Sequence, residues 1–485
     1  MKKINKIINS TWLEFLVLSA IVAASFVVRL YKIGNPIADW HSWRQVDTAS
    51  VTLNFKNTGV DLLHPRYHDL SAIQTGRFNP FGYRFVEFPI FNMYHFLGAT
   101  FIGRMGFDAW GRLISILAAS VSCIVMYLMG KTLLGKWEGL LASLFYALIP
   151  FNIYFTRVVL PDPLSTAFAL ISIWLFTIYL SEGKRWQLYF GGIYMSFALL
   201  VKPNAVFMAL PILVYGLIKF RIKGVFYVRH LLTLSIVAIP ILLWRAWMGK
   251  YLVGIPHFLW ALNGDDIRFR PSFWRWIFSE RLGVLILGVW GIVPFVFGLI
   301  SSGKEKSYKY YSCIFLLGSF IYVSVFATAS VRHDYYQIYI IPAVSLVLSQ
   351  GVSFMWRQKD YSKLFTRGLL IFSLGVMFIT SLIRVRDFYI VNHYEIVVAG
   401  EAADKLLPKE ALVIAPYNGD TAFLYQTRRN GWPVVDEGIG DIIAKGADYY
   451  VSVNTGDKDS VEFKKVFKVV AETDNYLILD LHQYN

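Results

Sequence analysis

Ionisable side chains are concentrated in one short stretch that follows the first long apolar segment of the chain. The stretch IADWHSWRQVDTAS, residues 37–50, contains Asp39, His41, Arg44 and Asp47. Its carboxylates could accept a proton from a hydroxyl group, and its guanidinium offers the planar donors that suit a phosphate. Charge at the edge of a membrane is costly and is usually kept for function. We therefore expect part of an active site here.

Asp39 is the first candidate for the proton acceptor. It lies between Ala38 and Trp40 near the end of an apolar segment, where partial desolvation would raise its basicity. Asp47 follows eight residues later, so a helix would place it on nearly the same face. Two structural alternatives stay open: Asp39 could cap a helix or anchor the chain at the interface, and Asp47 could pair with Arg44.

The composition is typical of a polytopic α-helical membrane protein. The 485 residues are 56% hydrophobic, which is more than a soluble core of this size needs. Eleven segments are apolar enough and long enough to be candidate spans. They are residues 13–30, 110–130, 138–156, 163–181, 187–201, 204–219, 229–248, 282–300, 309–330, 334–355 and 365–384.

Basic residues predict the orientation of these spans. Residues 13–30 follow the basic start MKKINK without a small-residue cleavage site, so we expect an uncleaved anchor and a cytoplasmic amino terminus. All strongly basic loops fall on that side if residues 88–103 form an interfacial or re-entrant helix within one external loop, residues 31–109. These loops are residues 131–136, 184–185, 219–229, 304–309 and 357–367. They also account for the net charge of +15, so no nucleic-acid partner is expected.

Residues 391–485 are more acidic and predict a small external soluble α/β domain beyond a transmembrane domain of residues 1–390. The predicted strands are 411–415, 433–435, 448–453, 467–471 and 476–481, and the predicted helices are 394–407, 419–427, 438–445 and 459–464. In the segment NGDTAFLYQTRRNGWP, Tyr425, Arg428, Arg429 and Trp432 could form a sugar or lipid-headgroup surface. A structural role for these four side chains is the favoured interpretation.

Four further polar segments fall on the external side in this topology, namely VEFPIFNMYHF, RVVLPDP, LVKPN and VRHDYYQ. Arg44 and Lys202 could neutralise a leaving phosphate, although snorkelling to headgroups is the alternative for Lys202. Asp162 lies between two prolines and is either a functional carboxylate or the N-cap of the following span. Carboxylates, bases and cations at one membrane face indicate a site where a lipid-borne phosphate meets a polar acceptor.

The order of these motifs resembles that of the GT-C glycosyltransferases, and in particular the lipid A aminoarabinose transferases and the protein O-mannosyltransferases. The resemblance covers nearly the whole chain. It rests on Asp39, HSWRQVDTA, VEFP, GRLISILAAS, RVVLPDPL, LVKPN and HDYYQIYIIPA. It implies a GT-C-like fold whose long first external loop contains membrane-parallel helices, in agreement with the assignment of residues 88–103.

The resemblance implies transfer of a hexose or pentose from a polyprenyl-phosphate donor to an acceptor hydroxyl, typically with inversion. The acceptor could be a lipid, a glycan or a protein, at the external face of a bacterial or archaeal cytoplasmic membrane. Asp39 matches the catalytic aspartate and would act as general base. Trp40 stands where O-mannosyltransferases carry a glutamate, so Asp162 is the candidate for a second carboxylate. No cofactor is assigned, but Asp39, Asp162 and His333 could together bind a divalent cation.

The predicted site residues fall into three groups. Asp39, Asp47 and Asp162 are expected to be catalytic, Arg44, Arg157, Lys202 and Arg332 to bind the donor phosphate, and His41, Trp43, Glu87, His333, Asp334 and Tyr336 to bind substrate. No metal ligand is assigned. The main alternative is a transporter or lipid flippase without covalent chemistry, and the third is a non-catalytic assembly protein. Clustering of the charges at one face speaks against the transporter, as does the lack of an evident inverted repeat in the sequence.

Overall fold

The structure is a computed structural model that describes residues 11–301 and 310–485. The predicted basic segments at residues 1–6 and 304–309 lie outside the described residues. The chain divides into two compact units. Unit 1 contains the described residues up to Ile33 together with Arg112–Trp244 and Phe258–Asp387, and unit 2 contains Gly34–Gly111, Arg245–His257 and Phe388–Asn485. Unit 2 thus combines most of the predicted external loop with the carboxyl-terminal domain.

Unit 1 is built from helices, as the apolar composition predicts. Within the described ranges, seven helical segments are long and apolar enough to cross a membrane. They are Thr11–Arg29, Phe107–Leu133, Asp162–Glu182, Pro203–Val225, Val228–Met248, Asp334–Arg357 and Lys363–Leu406. The last segment contains the helix Lys363–Val385 of unit 1 and the helix Tyr394–Leu406 of unit 2. The protein is therefore an integral membrane protein that crosses the bilayer several times.

The four other predicted spans are also helical, but they are shorter or interrupted. They correspond to Lys136–Leu148 with Pro150–Phe155, to Arg185–Val201, to Arg275–Ile286 with Ile292–Ile300, and to Tyr311–Val325. A proline explains the first interruption, because the residue before Pro150 has an extended ψ of 119°. The count of eleven spans stays a prediction.

Short helical turns join the long helices of unit 1. They are Trp260–Asn263, Pro271–Trp274 and Ala327–Arg332, together with 3₁₀ turns at Pro203–Ala209, Gly264–Phe269 and Asp334–Ile340. Small residues allow two of the long helices to approach closely. A Cβ atom on Gly351, in Ile341–Arg357, would lie 1.7 Å from the carbonyl oxygen of Pro294, in Ile292–Ile300. Such contacts are typical of helix packing in membranes.

The predicted loop folds around two helices of unit 2. Ser42–Thr58 is a regular α-helix, and Ile90–Leu97 continues into a π-helical turn at Gly98–Ile102. Together the residues of Ile90–Ile102 would extend about 20 Å, which is short of a hydrocarbon core of about 30 Å. The segment is therefore too short to cross the hydrocarbon core by itself, and its interfacial placement stays a prediction.

The carboxyl-terminal domain is an α/β fold, as predicted. Its strands are β1 (Leu412–Ile414), β2 (Asn430–Trp432), β3 (Tyr449–Ser452), β4 (Phe467–Glu472) and β5 (Leu477–Tyr484), in the order β2-β1-β3-β5-β4. Strand β1 runs parallel to β2 and β3, while β5 is antiparallel to β3 and β4. The helices are Tyr394–Leu406, Thr421–Gln426, Ile439–Ala444 and Lys458–Val466. The core includes Trp432, Tyr450 and Leu479.

One predicted strand is wrong in position. Residues 433–435 were expected to pair because of their apolar side chains, but the strand occupies Asn430–Trp432. Pro433 has no N–H group to donate to a ladder. Gly431 can pair because a Cβ atom at this position would lie 1.9 Å from the carbonyl oxygen of Val413, a distance that only glycine avoids.

The loop extends this sheet at its β2 edge. The N–H group of Gly431 donates to the carbonyl of His68 over 2.9 Å, and the N–H group of Leu70 donates to the carbonyl of Gly431 over 2.8 Å. Asp69 and Gly431 therefore form a parallel bridge. Trp40 adds a second connection, because its ring stacks on Phe388 at 5.2 Å. These contacts join the loop to the sheet domain within unit 2.

Candidate active site

Asp39 is held in a defined orientation just before a helix of unit 2. Its side chain is buried, and the Nε2 of Gln45 donates a hydrogen bond of 2.7 Å to its Oδ1. His41 has a left-handed backbone, with φ of 56° and ψ of 37°, so the chain turns sharply before the helix begins at Ser42. Residues in this region of φ/ψ space are uncommon and are enriched at functional sites. The expected shared helical face of Asp39 and Asp47 is wrong, because Asp39 precedes the helix.

Arg44 and Glu87, predicted to bind phosphate and substrate, form an ion pair. The Nη2 of Arg44 contacts Oε1 of Glu87, and its Nη1 donates to the hydroxyl of Thr48 over 3.2 Å. The two charged side chains are only 5% and 14% exposed. Trp43, from the same helical turn, is half-buried. The pair connects the helix Ser42–Thr58 to the VEFP segment and fixes the direction of the guanidinium.

Asp47 has a different environment from Asp39. It is fully buried, and its Oδ2 accepts hydrogen bonds from Arg84 at 2.8 Å and from Gln74 at 3.2 Å. Its Oδ1 accepts a bond of 2.8 Å from the hydroxyl of Thr421. The partner of Asp47 is therefore Arg84, not Arg44 as the sequence suggested. Both carboxylate oxygens are engaged, which favours a structural role for Asp47.

Other buried titratable groups lie near Asp47. Burial raises the pKa of Asp69 to about 6, and the charge of Asp47 acts in the same direction. Burial likewise raises the pKa of Asp420 to about 6, again with a contribution from Asp47. Burial lowers the pKa of His68 to about 4, so its imidazole is neutral at pH 7. No local feature of the sequence indicates these pKa shifts, since each depends on tertiary burial.

Three predicted motifs meet in unit 1. The helix Asp162–Glu182 packs against both 3₁₀ turns, Pro203–Ala209 and Asp334–Ile340. Asp162 is the first residue of its helix, after Pro161, and is buried. It is thus not the N-cap that the sequence suggested. Lys202 is the C-cap of the helix Arg185–Val201 and immediately precedes the 3₁₀ turn Pro203–Ala209.

The VRHDYYQ segment supplies a buried ion pair and aromatic side chains. Asp334 pairs with Arg281, and the two side chains are 4% and 14% exposed. The ring of His333 packs edge-on against Trp260 at 5.5 Å. The ring of Tyr336 lies parallel to that of Tyr322 at 6.4 Å.

The two predicted cations of unit 1 have different surroundings. Arg157 is fully buried and donates to the carbonyl of Lys32 over 2.8 Å. Arg332 is largely exposed and lies 3.5 Å from Asp265, which is also exposed. Such an exposed pair contributes little to stability. Arg332 is therefore more available to a mobile ligand than Arg157.

Four side chains that the sequence did not single out support these residues. Gln45 orients Asp39, Arg84 pairs with Asp47, and Arg281 pairs with Asp334. Tyr322 is buried within the electrostatic reach of Asp162 and Tyr336. The two arginines give no local signal, because their partners lie 37 and 53 positions away in the chain, and Gln45, although only six residues from Asp39, has no residue type or spacing that marks it as a partner. Within residues 11–301 and 310–485, no group of three or more His, Cys, Asp or Glu side chains is arranged to hold a metal ion.

The side chains of Tyr425, Arg428, Arg429 and Trp432 have the structural role that the sequence analysis favoured over a ligand-binding surface. Arg428 pairs with Asp108 at 3.3 Å, and the hydroxyl of Tyr425 donates to the same carboxylate over 2.6 Å. Arg429 pairs with Asp404 at 2.6 Å. Trp432 is 2% exposed and belongs to the core of the sheet domain.

Comparison with known proteins identifies the fold of the helices, the long loop and the small sheet domain as GT-C-like. Residues 93–244 match the family model described as dolichyl-phosphate-mannose-protein mannosyltransferase. No curated protein sequence matches this chain.

Three solved structures share this fold at low sequence identity. ArnT from Cupriavidus metallidurans, bound to undecaprenyl phosphate, has a TM-score of 0.65 and 12% identity, over 97% of this chain and 98% of ArnT. The oligosaccharyltransferase AglB from Archaeoglobus fulgidus, in complex with an inhibitory peptide and a dolichol-phosphate, has a TM-score of 0.55 and 10% identity, over 98% and 75% of the chains. The arabinofuranosyltransferase AftD from Mycobacteria has a TM-score of 0.62 and 13% identity, over 96% of this chain and 40% of AftD. The GT-C resemblance of the motifs is thereby confirmed at the level of the fold.

Proposed function

We propose that this protein is a glycosyltransferase that moves a sugar from a polyprenyl-phosphate donor to an acceptor hydroxyl. The likeness to ArnT carries the proposal, because it extends over 97% of the chain and that structure contains undecaprenyl phosphate. The Asp39 site supports it independently. A buried carboxylate held by Gln45 at the start of a helix has the chemistry of a positioned general base.

The proposed reaction is a direct displacement at the anomeric carbon. Asp39 takes the proton of the acceptor hydroxyl while its oxygen forms a bond to that carbon. The bond from the same carbon to the donor phosphate breaks, and the lipid phosphate leaves with inversion of configuration. Lys202, Arg157 and Arg332 would offset the growing negative charge on the phosphate, and Arg44 would do so from its ion pair with Glu87. His41, Trp43, His333 and Tyr336 would line the sugar and acceptor sites.

The proposed setting is the external face of the membrane. The amino terminus would be cytoplasmic, and the sheet domain would be external with Asp39. The acceptor would be a lipid, a glycan or a protein. A chelator added to the transfer assay tests for a divalent cation: loss of transfer would support a bound cation, and unchanged transfer would reject it.

Asp39→Asn tests this function. We expect the variant to fold and to bind the donor lipid, but to transfer no sugar from a radiolabelled polyprenyl-phosphate donor. Asp39→Glu, which keeps the carboxylate but moves it, should retain partial activity. Full transfer by Asp39→Asn would falsify the assignment of the base. A wild-type protein that moves lipid across vesicles without forming a labelled product would instead be a flippase.

A further inference from the structure

Unit 2 contains a polar cavity away from Asp39. The cavity has a volume of 680 Å³ and lies between the carboxyl-terminal end of the helix Ser42–Thr58 and the edge of the sheet domain. The side chains that line it on the helix include Asn54, Asn57 and Thr58, and Asn430 lines it from strand β2. Phe107 supplies an apolar ring to the same wall. A few fixed polar groups beside an aromatic side chain are typical of a ligand pocket.

The amide side chains of the wall are fixed in place. The Nδ2 of Asn54 donates to the carbonyl of Ser50 over 3.2 Å, and the Nδ2 of Asn430 donates to the Oδ1 of Asn54 over 3.5 Å. Each amide presents both donors and an acceptor, as a sugar hydroxyl does. Groups that can both donate and accept therefore match a carbohydrate better than an apolar ligand.

His68 adds an acceptor of defined chemistry. It lines the cavity, is 2% exposed, and places its Nε2 3.1 Å from the carbonyl oxygen of Thr421. A carbonyl only accepts, so Nε2 carries the proton and Nδ1 of the neutral ring is an acceptor. This Nδ1 is buried and has no hydrogen-bond partner in the described part of the chain. A hydroxyl group of a ligand could supply the donor that Nδ1 lacks.

The charges of the cavity argue against a phosphate ligand. Three of its cations are already paired, since Arg428 contacts Asp108 while Arg429 and Lys409 both contact Asp404. The two remaining charged residues of the wall, Lys56 and Glu410, have opposite signs. Because the charges nearly balance, a neutral and hydroxyl-rich ligand fits the site better than an anion.

The cavity is too distant from Asp39 to hold the reacting sugar. Asn54 follows Ser42 by twelve helical residues, and at 1.5 Å per residue this separates the two ends by about 18 Å. Asp39 precedes Ser42. A ligand that reaches both places must therefore be extended, and the polar lining of the cavity suits a chain of sugars.

We propose that this cavity binds one sugar unit of an extended glycan acceptor, at a distance from the hydroxyl that reacts at Asp39. The inference rests on the proposed function and narrows the acceptor from three classes to a glycan or a glycan-bearing molecule. Asn54, Asn430 and His68 would recognise the hydroxyl groups of that distal sugar.

Two variants test the cavity at residues that do not contact Asp39. Asn57→Trp fills the cavity from an exposed position, and His68→Phe removes the Nδ1 acceptor, together with the Nε2–H bond to the carbonyl of Thr421, with little change of side-chain shape. The matched control is Val60→Trp, at an exposed position outside the cavity wall. The acceptor in the assay is the solubilised envelope glycan of the source organism, and the donor is the radiolabelled polyprenyl-phosphate sugar. We expect both cavity variants to raise the KM for the glycan at least tenfold with little change in kcat, and the control to leave both unchanged.

Direct binding separates this inference from the proposed function. Saturation-transfer NMR with the same glycan fraction should show contact with the wild type and loss of contact with Asn57→Trp. Binding without any transfer would reject the transferase function but support the cavity. Transfer with an unchanged KM in both variants would overturn the cavity proposal, as would the absence of glycan binding by the wild type.

Discussion

The hydroxyl of Thr421 donates a hydrogen bond of 2.8 Å to the carboxylate of Asp47, which lies 374 positions earlier in the chain. The same carboxylate accepts bonds from Arg84 and Gln74. Asp47 belongs to the helix whose first turn contains Gln45, the residue that orients Asp39. We infer that the sheet domain supports the candidate active site by anchoring this helix.

Loss of the Asp47 anchor should destabilise the protein. Asp47→Asn leaves the buried guanidinium of Arg84 without its counter-charge, at a cost of about 3–5 kcal/mol. Thr421→Val removes one charge-assisted hydrogen bond, which is worth about 1.5–3 kcal/mol. Thermal unfolding of the purified protein measures both. The double variant should lose less stability than the sum of the losses in the two single variants, because the two residues belong to one hydrogen-bond network. A stable Asp47→Asn protein without transferase activity would identify Asp47 as the base.

Gln45 should act as a positioning residue for Asp39. Gln45→Ala removes the bond that holds the carboxylate, and we expect kcat to fall by up to about 100-fold with little change in the KM for the donor. Gln74→Ala is the matched control, since this amide contacts Asp47 and not Asp39. An equal fall in kcat for the two variants would show that the effect is a general loss of structure.

The Arg44 and Glu87 pair offers a test of donor binding. Arg44→Ala should lower stability by less than the about 3–5 kcal/mol of an uncompensated buried charge, because Glu87 loses one counter-charge but keeps that of Arg245 within reach. Arg44→Met combined with Glu87→Leu should recover much of this stability. If Arg44 also binds the donor phosphate, the stable double variant will still show a KM for the donor raised at least tenfold. A normal KM would restrict Arg44 to a structural role.

Asp69 should make stability depend on pH. Burial raises the pKa of this carboxyl from its ordinary 3.8 to about 6, so the folded protein binds the proton more readily than the unfolded chain. Its contribution is therefore complete below about pH 4 and is lost as the pH rises through about 6. Asparagine does not titrate. The stability of Asp69→Asn relative to the wild type should increase between about pH 5 and about pH 7.5, whereas a constant difference in melting temperature would contradict the burial argument.

The proposed orientation is open to labelling. Gly456 is exposed and a Cβ atom there meets no neighbour within 4 Å, so Gly456→Cys should react with a membrane-impermeant maleimide in intact cells. Asp360→Cys, at an exposed position in a predicted cytoplasmic loop, should react only after permeabilisation. The wild type is the background control, since Cys123 is buried and Cys313 is partly buried. Labelling of Asp360→Cys in intact cells, and of Gly456→Cys only after permeabilisation, would show that the orientation in the membrane is the reverse of the proposed one.

Much of the fold could be predicted because its signals are local. Apolar runs of span length indicated a helical membrane protein, and all four helices and four of the five strands of the sheet domain overlap their predicted positions. The strand at Asn430–Trp432 was not predicted, because its pairing depends on the close approach of Gly431 to Val413. Side-chain periodicity does not report such an approach.

The sequence by itself determined the apolar composition, the order of the motifs and the position of Asp39 beside the first span. These features follow from residue types and short spacings, and they suffice to indicate a GT-C fold. Only the tertiary structure decided which charge pairs with which. Arg44 pairs with Glu87, and Asp47 pairs with Arg84 and Thr421. The physical reason is that the partners are distant in the chain. A buried charge must be paired with whichever group the folded chain places beside it, and residue spacing in the sequence does not show which group that is.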